Sequence, residues 1–342
     1  MNQMNRPTEG ARAVARRIDP PAPPVVWLHY DYMVASDHSH APSPEAIDRA
    51  VAAFRARGIT LHVDPQSAAI PETPSLYLGF GHYIEDGCPG SPPGLAVGLY
   101  ELKERYSHPH GSRAWHYAVF GHTGIASNGL CGIGGEAQLA GYDFTVTLGV
   151  FVDFPDIPLS VFRDAESGTL LHELGHNLCL HHGGACTDAH PWKPNYISVM
   201  NYLFVYPGIP YAANLGSTEP VGSRFDYSDE VLPPLDERHL DERVGVQAGT
   251  TDIVGYLCPP QPDGTFLEGV GPASGAIDWN CDGVIEADVA ADLDVFTEHV
   301  SPPPDYPFYE ILTGYDDWAH IHRWIRTPAY VSGTLRSRGR VP

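Results

Sequence analysis

Residues 172–182 read His172-Glu173-Leu174-Gly175-His176-Asn177-Leu178-Cys179-Leu180-His181-His182. His172 and His176 are four positions apart. On a helix they share a face, and both imidazoles can reach one metal ion. Glu173 lies beside them, where a carboxylate can serve as general base toward water at the metal. A third ligand must come from beyond the helix. On a straight helix His182 would point about 80° away from His172 and lie roughly 15 Å further along the axis. The helix therefore has to stop near residue 179 and the chain has to turn back. His181 and Cys179 are rival third ligands with poorer reach, and His182 is preferred.

Working outward, residues 160–180 carry a long helical pattern, and the stretch before it has the texture of a sheet with helices. Residues 25–30 read as a strand. Ser43 and Pro44 then open a helix as N-cap and first helical residue, with Ile47, Ala50, Val51 and Phe54 as its apolar stripe and Gly58 as its stop. Strands are expected at 59–63, 75–80, 115–120 and 143–150, a helix at 95–106, and a Gly-rich loop at 121–141. This order predicts an α/β (α+β) fold with a twisted, mostly parallel mixed sheet. After residue 180 the patterning fades into loops, with a short helix expected at 235–244 and a terminal helix at 315–325. The expected organisation is a flexible leader (1–24), a sheet half carrying the helix (25–182), an irregular half (183–327) and a solvated basic tail (328–342).

The segment 172–182 resembles the HExxHxxGxxH signature of the metzincin zinc proteases. Ser198-Val199-Met200-Asn201-Tyr202, with Met200 18 residues after His182, resembles the Met-turn of that clan. Lys193-Pro194-Asn195-Tyr196 before it and Phe225-Asp226-Tyr227-Ser228 after it are similar to segments of bacterial members. The strong likeness covers about residues 165–205. It implies a zinc endopeptidase with His172, His176 and His182 as zinc ligands, Glu173 as general base, Met200 flooring the site and Tyr202 stabilising the oxyanion. A polypeptide substrate would pair in extended form with a sheet edge, expected at 115–120. One departure stands out: Cys179 replaces the signature glycine, which takes a left-handed conformation at the turn. A non-glycine residue there costs roughly 1–2 kcal/mol. A Cys179–Cys186 disulfide would hold such a turn. If the helix instead ran on through Cys179, His182 would be misplaced. A catalytically inactive zinc-binding protein, or a zinc hydrolase of a non-protein amide, are the alternatives.

Six cysteines and no CxxC pair suggest disulfides in an oxidising, extracellular setting. Pairing neighbours in sequence joins Cys88 to Cys131, Cys179 to Cys186 and Cys258 to Cys281. A second metal signal is Asp278-Trp279-Asn280-Cys281-Asp282-Gly283. It places oxygens of Asp278, Asn280 and Asp282 at the spacing of a calcium loop, with Gly283 at the turn. The usual bidentate acid is missing, and Glu286, Asp288 or Asp292 are its candidate substitutes. His38 and His40, His108 and His110, and His320 and His322 are i,i+2 pairs. They read as surface or loop pairs, because nothing near them in sequence completes a ligand set. Asp31 and Asp64 read as strand-end caps.

Composition sets the bounds. The 342 residues are 43 % hydrophobic, which suits a folded chain, and the net charge is −22. Such acidity argues against nucleic acid and anionic membranes as partners. The longest apolar run, 146–154, is half a membrane span and carries Asp153.

Overall fold

The computed structural model describes residues 23–80, 82–85, 94–106, 115–126, 129–149, 156–260, 267–294, 308–333 and 339–341. Most of the expected leader, Cys88, and the pair His108 and His110 lie outside them.

Strand β1 (Val25–Val34) is the backbone of the fold. It pairs in parallel with β2 (Thr60–Val63), β3 (Ala69–Pro71) and β7 (Trp115–Gly121), and β7 pairs in parallel with β11 (Asp143–Thr147). Next to β11 lies β10 (Gly135–Leu139), antiparallel, and then a last strand, Gly339–Val341, also antiparallel. The sheet order is thus β2-β1-β7-β11-β10 and Gly339–Val341, with β3 continuing beyond β2 along β1. The fold is mixed α/β with a mixed sheet and few helices. Among the described residues no helix is long and apolar enough to cross a membrane.

Both faces of this sheet are covered, and the two-residue period of the strands sorts the side chains. From β7, Ala118 and Phe120 enter one core with Val26, Leu28, Phe54, Leu170 and Leu174, whereas Tyr117 and Val119 enter another with Met33, Ile70, Leu76 and Leu99. Helices α1 (Pro44–Ala56) and α3 (Leu159–Asn177) cover the first face. In α1 the Ser43 hydroxyl accepts from the Ala46 amide, and Gly58 takes φ 69°, as the sequence predicts. A smaller sheet lies toward the other face, in the order β5 (His82–Glu85), β6 (Gly94–Gly98), β4 (Ser75–Tyr77), β8 (Gly124–Ile125) and β9 (Cys131–Ile133). The second half builds its own core around Trp279, Val246, Val254, Ile277 and Leu293.

Five expectations are corrected. The span 95–106 is a strand and then helix α2 (Leu99–Tyr106), because its first residues pair with β4. The Gly-rich span 121–141 contains β8, β9 and β10. Residues 235–244 form a two-residue strand, Leu235–Asp236, followed by turns in which Asp236 and Asp241 accept from the amides of Arg238 and Arg243. Such side-chain bonds compete with helix. The C-terminal segment is not simply a solvated tail: Tyr330 is buried and Gly339–Val341 closes the sheet edge. Nor is 115–120 an edge, because it pairs with β1 on one side and β11 on the other. It is β7, in the middle of the sheet.

Candidate metal centre and cleft

Helix α3 is buried on every side from Ala165 to Asn177. It lies between the sheet and the chain that follows, and three tight approaches fix it. A Cβ at Gly168 would overlap the carbonyl of Val205, and one at Gly175 would stand 2.3 Å from Met200 Sδ. Asn177 donates to the carbonyls of Gln138 and Asp143 and pairs with His116 Nδ1. The C-terminal end of the helix is therefore locked onto β7, β10 and β11.

The helix stops where the sequence requires. Cys179 adopts φ 69°, the left-handed conformation of the turn, and is joined to Cys186 by a disulfide. Leu180–His181 then pairs back with Gly184–Ala185. Lys193, fully buried, donates to the carbonyls of Gly183 and Thr313 and to Asp188, which braces the returning loop. This reversal brings His182 to the helix. Ligand atoms of His172, His176 and His182 lie within 4.8 Å of one another. Nδ1 of His172 is bonded to the Val199 carbonyl (2.8 Å) and Nδ1 of His176 to the Leu180 carbonyl (2.9 Å). These bonds place the proton on Nδ1 and leave Nε2 as the lone-pair donor. The two Nε2 atoms are 3.1 Å apart, close to the roughly 3.3 Å between two nitrogens on one tetrahedral ion. The residues fit a metal. The rivals fall away: Cys179 is in a disulfide, and His181 Nδ1 accepts from the His182 amide.

Burial holds the rings of His172 and His176 neutral. His172 is pushed down to about 4, and His176 lies well below its ordinary value through burial and then through its neighbours His172 and His182. Neutral imidazole is the ligating form. Glu173 is 2 % exposed, and its Oε2 is buried with no hydrogen-bond partner among the described residues. Burial first, and the charge of Glu136 second, raise its carboxyl well above the usual range. An unpartnered buried carboxylate beside three converging imidazoles is costly unless it has a task there.

Residues 193–202 are held by two hubs. Asn201 donates to the carbonyls of Lys193 and Tyr196 and accepts from the Trp192 amide. Asp317, at the start of helix α4 (Asp317–Trp324), accepts from Tyr196 Oη, Ser198 Oγ and the Ser228 amide. Met200, fully buried, is thereby pressed against Gly175 of the helix. Tyr227 donates to the Leu171 carbonyl.

A cleft of about 530 Å³ opens onto Glu173 and His172. Residues 130–135, including the edge strand β9, form one wall. Tyr202, Tyr206 and Trp192 form another. The Tyr202 ring packs on His182 (4.2 Å between centroids) and on His172 (5.7 Å). A second, mostly apolar cavity of about 350 Å³ shares Trp192 and Tyr202 and is lined by Leu203, Phe204, Ile253, Tyr256 and Val270. Sequence reading missed Trp192 and Gly135 as site residues. Trp192 holds φ 69°, which no sequence pattern signals.

The second metal signal, Asp278, Asn280 and Asp282, lies in a network of turns. Asp278 accepts from the amides of Asp282 and Gly283, and Asp282 accepts from the Val284 amide. Asn280 Oδ1 accepts from the Asp282 amide, while the Glu242 carboxylate takes the amides of Asn280 and Glu286. The bonds of Asp278, Asn280 and Asp282 are the side-chain bonds to backbone amides that Asp and Asn make in turns. Of the candidate substitutes, Asp288 bonds His239, and Asp292 lies with Glu237 and Asp294. The Cys258–Cys281 disulfide is present as expected, and Cys258 is buried in the second core. The expected partner of Cys131 lies outside the described residues. His320 bonds Tyr315 and the Leu178 carbonyl. Asp31 and Asp64 do more than cap: both contact His29, and Asp31 accepts from Tyr117 Oη and the Ala68 amide.

No protein-family model matches the chain, and no curated protein matches it.

Proposed function

We propose that this protein is a zinc-dependent endopeptidase of the metzincin kind, acting on extended polypeptide outside the cell. The observation that carries this reading is the unpartnered Oε2 of Glu173, buried next to two helical imidazoles whose Nδ1 atoms are tied to backbone carbonyls. His172, His176 and His182 would hold the ion, and zinc bound there supplies Lewis-acid polarisation of a carbonyl and acidifies water.

The chain supplies the rest. Glu173 Oε2 takes a proton from water and passes it to the leaving amine. Tyr202 lines the cleft and can donate its hydroxyl to the oxyanion that develops on the scissile carbonyl. Strand β9 ends its sheet on the cleft wall, so an extended peptide can add to it by backbone hydrogen bonds. The apolar cavity behind Tyr202 and Trp192 suits an apolar side chain of the substrate. Two disulfides fit an extracellular setting.

The test is digestion of unfolded casein by wild type and Glu173→Gln, each with its zinc content measured. We expect cleavage by wild type and a loss of about 10³-fold or more in the variant with zinc retained. Equal cleavage by both, or none by zinc-loaded wild type, would overturn the reading.

A further inference from the structure

The pair His38 and His40, expected to stand alone, does not. After β1 the chain folds back on itself: Ser39 bridges to Val34, and the His40 amide donates to the Met33 carbonyl. Both imidazoles are thus placed at the carboxyl end of β1. On one side β3 ends at Pro71, and the next residue, Glu72, is tied to the Val34 carbonyl by its amide. On the other side β7 ends at Gly121, and the next residue is His122. Three adjacent parallel strands therefore deliver three histidines and a carboxylate to one edge of the sheet. The carboxyl ends of parallel strands are where open sheets bind ligands.

Glu72 Oε2 lies 2.9 Å from His38 Nε2 and 3.1 Å from His40 Nε2, and Glu72 Oε1 lies 4.0 Å from His122 Nδ1. The three ring centroids are 4.9, 5.2 and 5.5 Å apart with steep interplanar angles of 83°, 77° and 60°. One ligand atom from each of the four residues falls within 4.8 Å of all the others. The surroundings are built for these rings. A Cβ at Gly149 would stand 2.4 Å from His122 Cγ, so only glycine leaves room, and the Gly149 amide donates to the His122 carbonyl. Asp37 Oδ1 lies 2.9 Å from His38 Nδ1, the position of an outer carboxylate that orients a ligating histidine. None of these residues belongs to the His172, His176 and His182 cluster.

We propose that His38, His40, His122 and Glu72 form a second metal site that takes zinc. Three imidazoles and one carboxylate suit a borderline cation. Calcium and magnesium, which prefer oxygen donors, are disfavoured. Four protein donors make a closed, structural site rather than a catalytic one. Its work is to clamp the ends of β3, β1 and β7.

Zinc content of the chelator-stripped, zinc-reloaded full chain tests this. Wild type is expected to hold two equivalents, His172→Ala/His176→Ala one, and His122→Gln one. In the His172→Ala/His176→Ala background, zinc should raise the unfolding temperature, and adding His122→Gln should abolish that rise. Far-ultraviolet circular dichroism checks that His122→Gln is folded. The proposal is overturned if wild type holds a single equivalent that His172→Ala/His176→Ala removes. It is also overturned if folded His122→Gln keeps the wild-type stoichiometry. Either result would leave the cluster a hydrogen-bonded network without an ion. Because the catalytic ligands are removed separately, failure here is distinguishable from failure of the peptidase reading.

Discussion

A Cβ on Gly135 would stand 2.5 Å from Oε1 of Glu173. The backbone of β10 is therefore one wall of the box that holds the carboxylate, and only a residue without a side chain can form it. Gly135→Ala should push Glu173 aside while leaving the imidazoles in place. Misplacing a reacting group by about 1 Å costs on the order of 10²-fold in rate. The expected outcome is a loss of kcat/KM of about that size on a peptide substrate with unchanged zinc content. Activity within twofold of wild type would show that the contact is not decisive.

The Cys179–Cys186 bond closes the turn that returns His182 to the helix. Cys179→Ser/Cys186→Ser should lower stability by about 2–3 kcal/mol and weaken zinc binding, because His182 is no longer tethered. Cys179→Gly/Cys186→Ser should recover part of the loss, roughly 1 kcal/mol, since glycine accepts φ 69° without strain. Denaturant melts and competition with a zinc chelator read both effects.

Asp317 gathers the hydroxyls of Tyr196 and Ser198 and the amide of Ser228 beneath Met200. Its replacement leaves those buried donors unmatched. Asp317→Ala should destabilise by about 3 kcal/mol or more. If the fold survives, it should also lower kcat, through a shift of Met200 and Tyr202, more than it raises KM. Thermal unfolding and steady-state kinetics check this.

His29 is buried between two carboxylates, Asp31 at 3.3 Å and Asp64 at 3.1 Å. Burial alone would lower its affinity for a proton, but the bonds and charges of Asp31 and Asp64 outweigh burial and raise it above the ordinary 6.5. The folded chain thus keeps a proton that the unfolded chain releases. This contribution is fully present below pH 6.5 and is lost as pH rises through the folded value. Wild type should lose on the order of 1 kcal/mol across that window, and His29→Gln should lose less. Parallel melting curves at pH 6 and pH 8 compare the two.

Local spacing made part of this molecule legible. Two histidines four apart on a helix must share a face, whatever surrounds them, and His182 can join them only if the helix stops. Cys179 and its disulfide make that stop, and Ser43, Pro44 and Gly58 bound α1 by equally local chemistry. Other features depend on which strands become neighbours. Residues 115–120 alternate like an edge strand, yet β7 lies between β1 and β11, because pairing partners are chosen by the whole sheet. Strand β10 was hidden in a glycine-rich stretch, since Gly135 has no side chain to carry a pattern. The histidine pair at 38 and 40 looked unremarkable because its completing ligands, Glu72 and His122, are far away in sequence. The sequence alone determined the helix and the shared face of its two histidines, because helical contacts run between residues three and four apart. Only the tertiary structure decided the cleft wall and the second cluster, because parallel strands bring together residues that their connections separate.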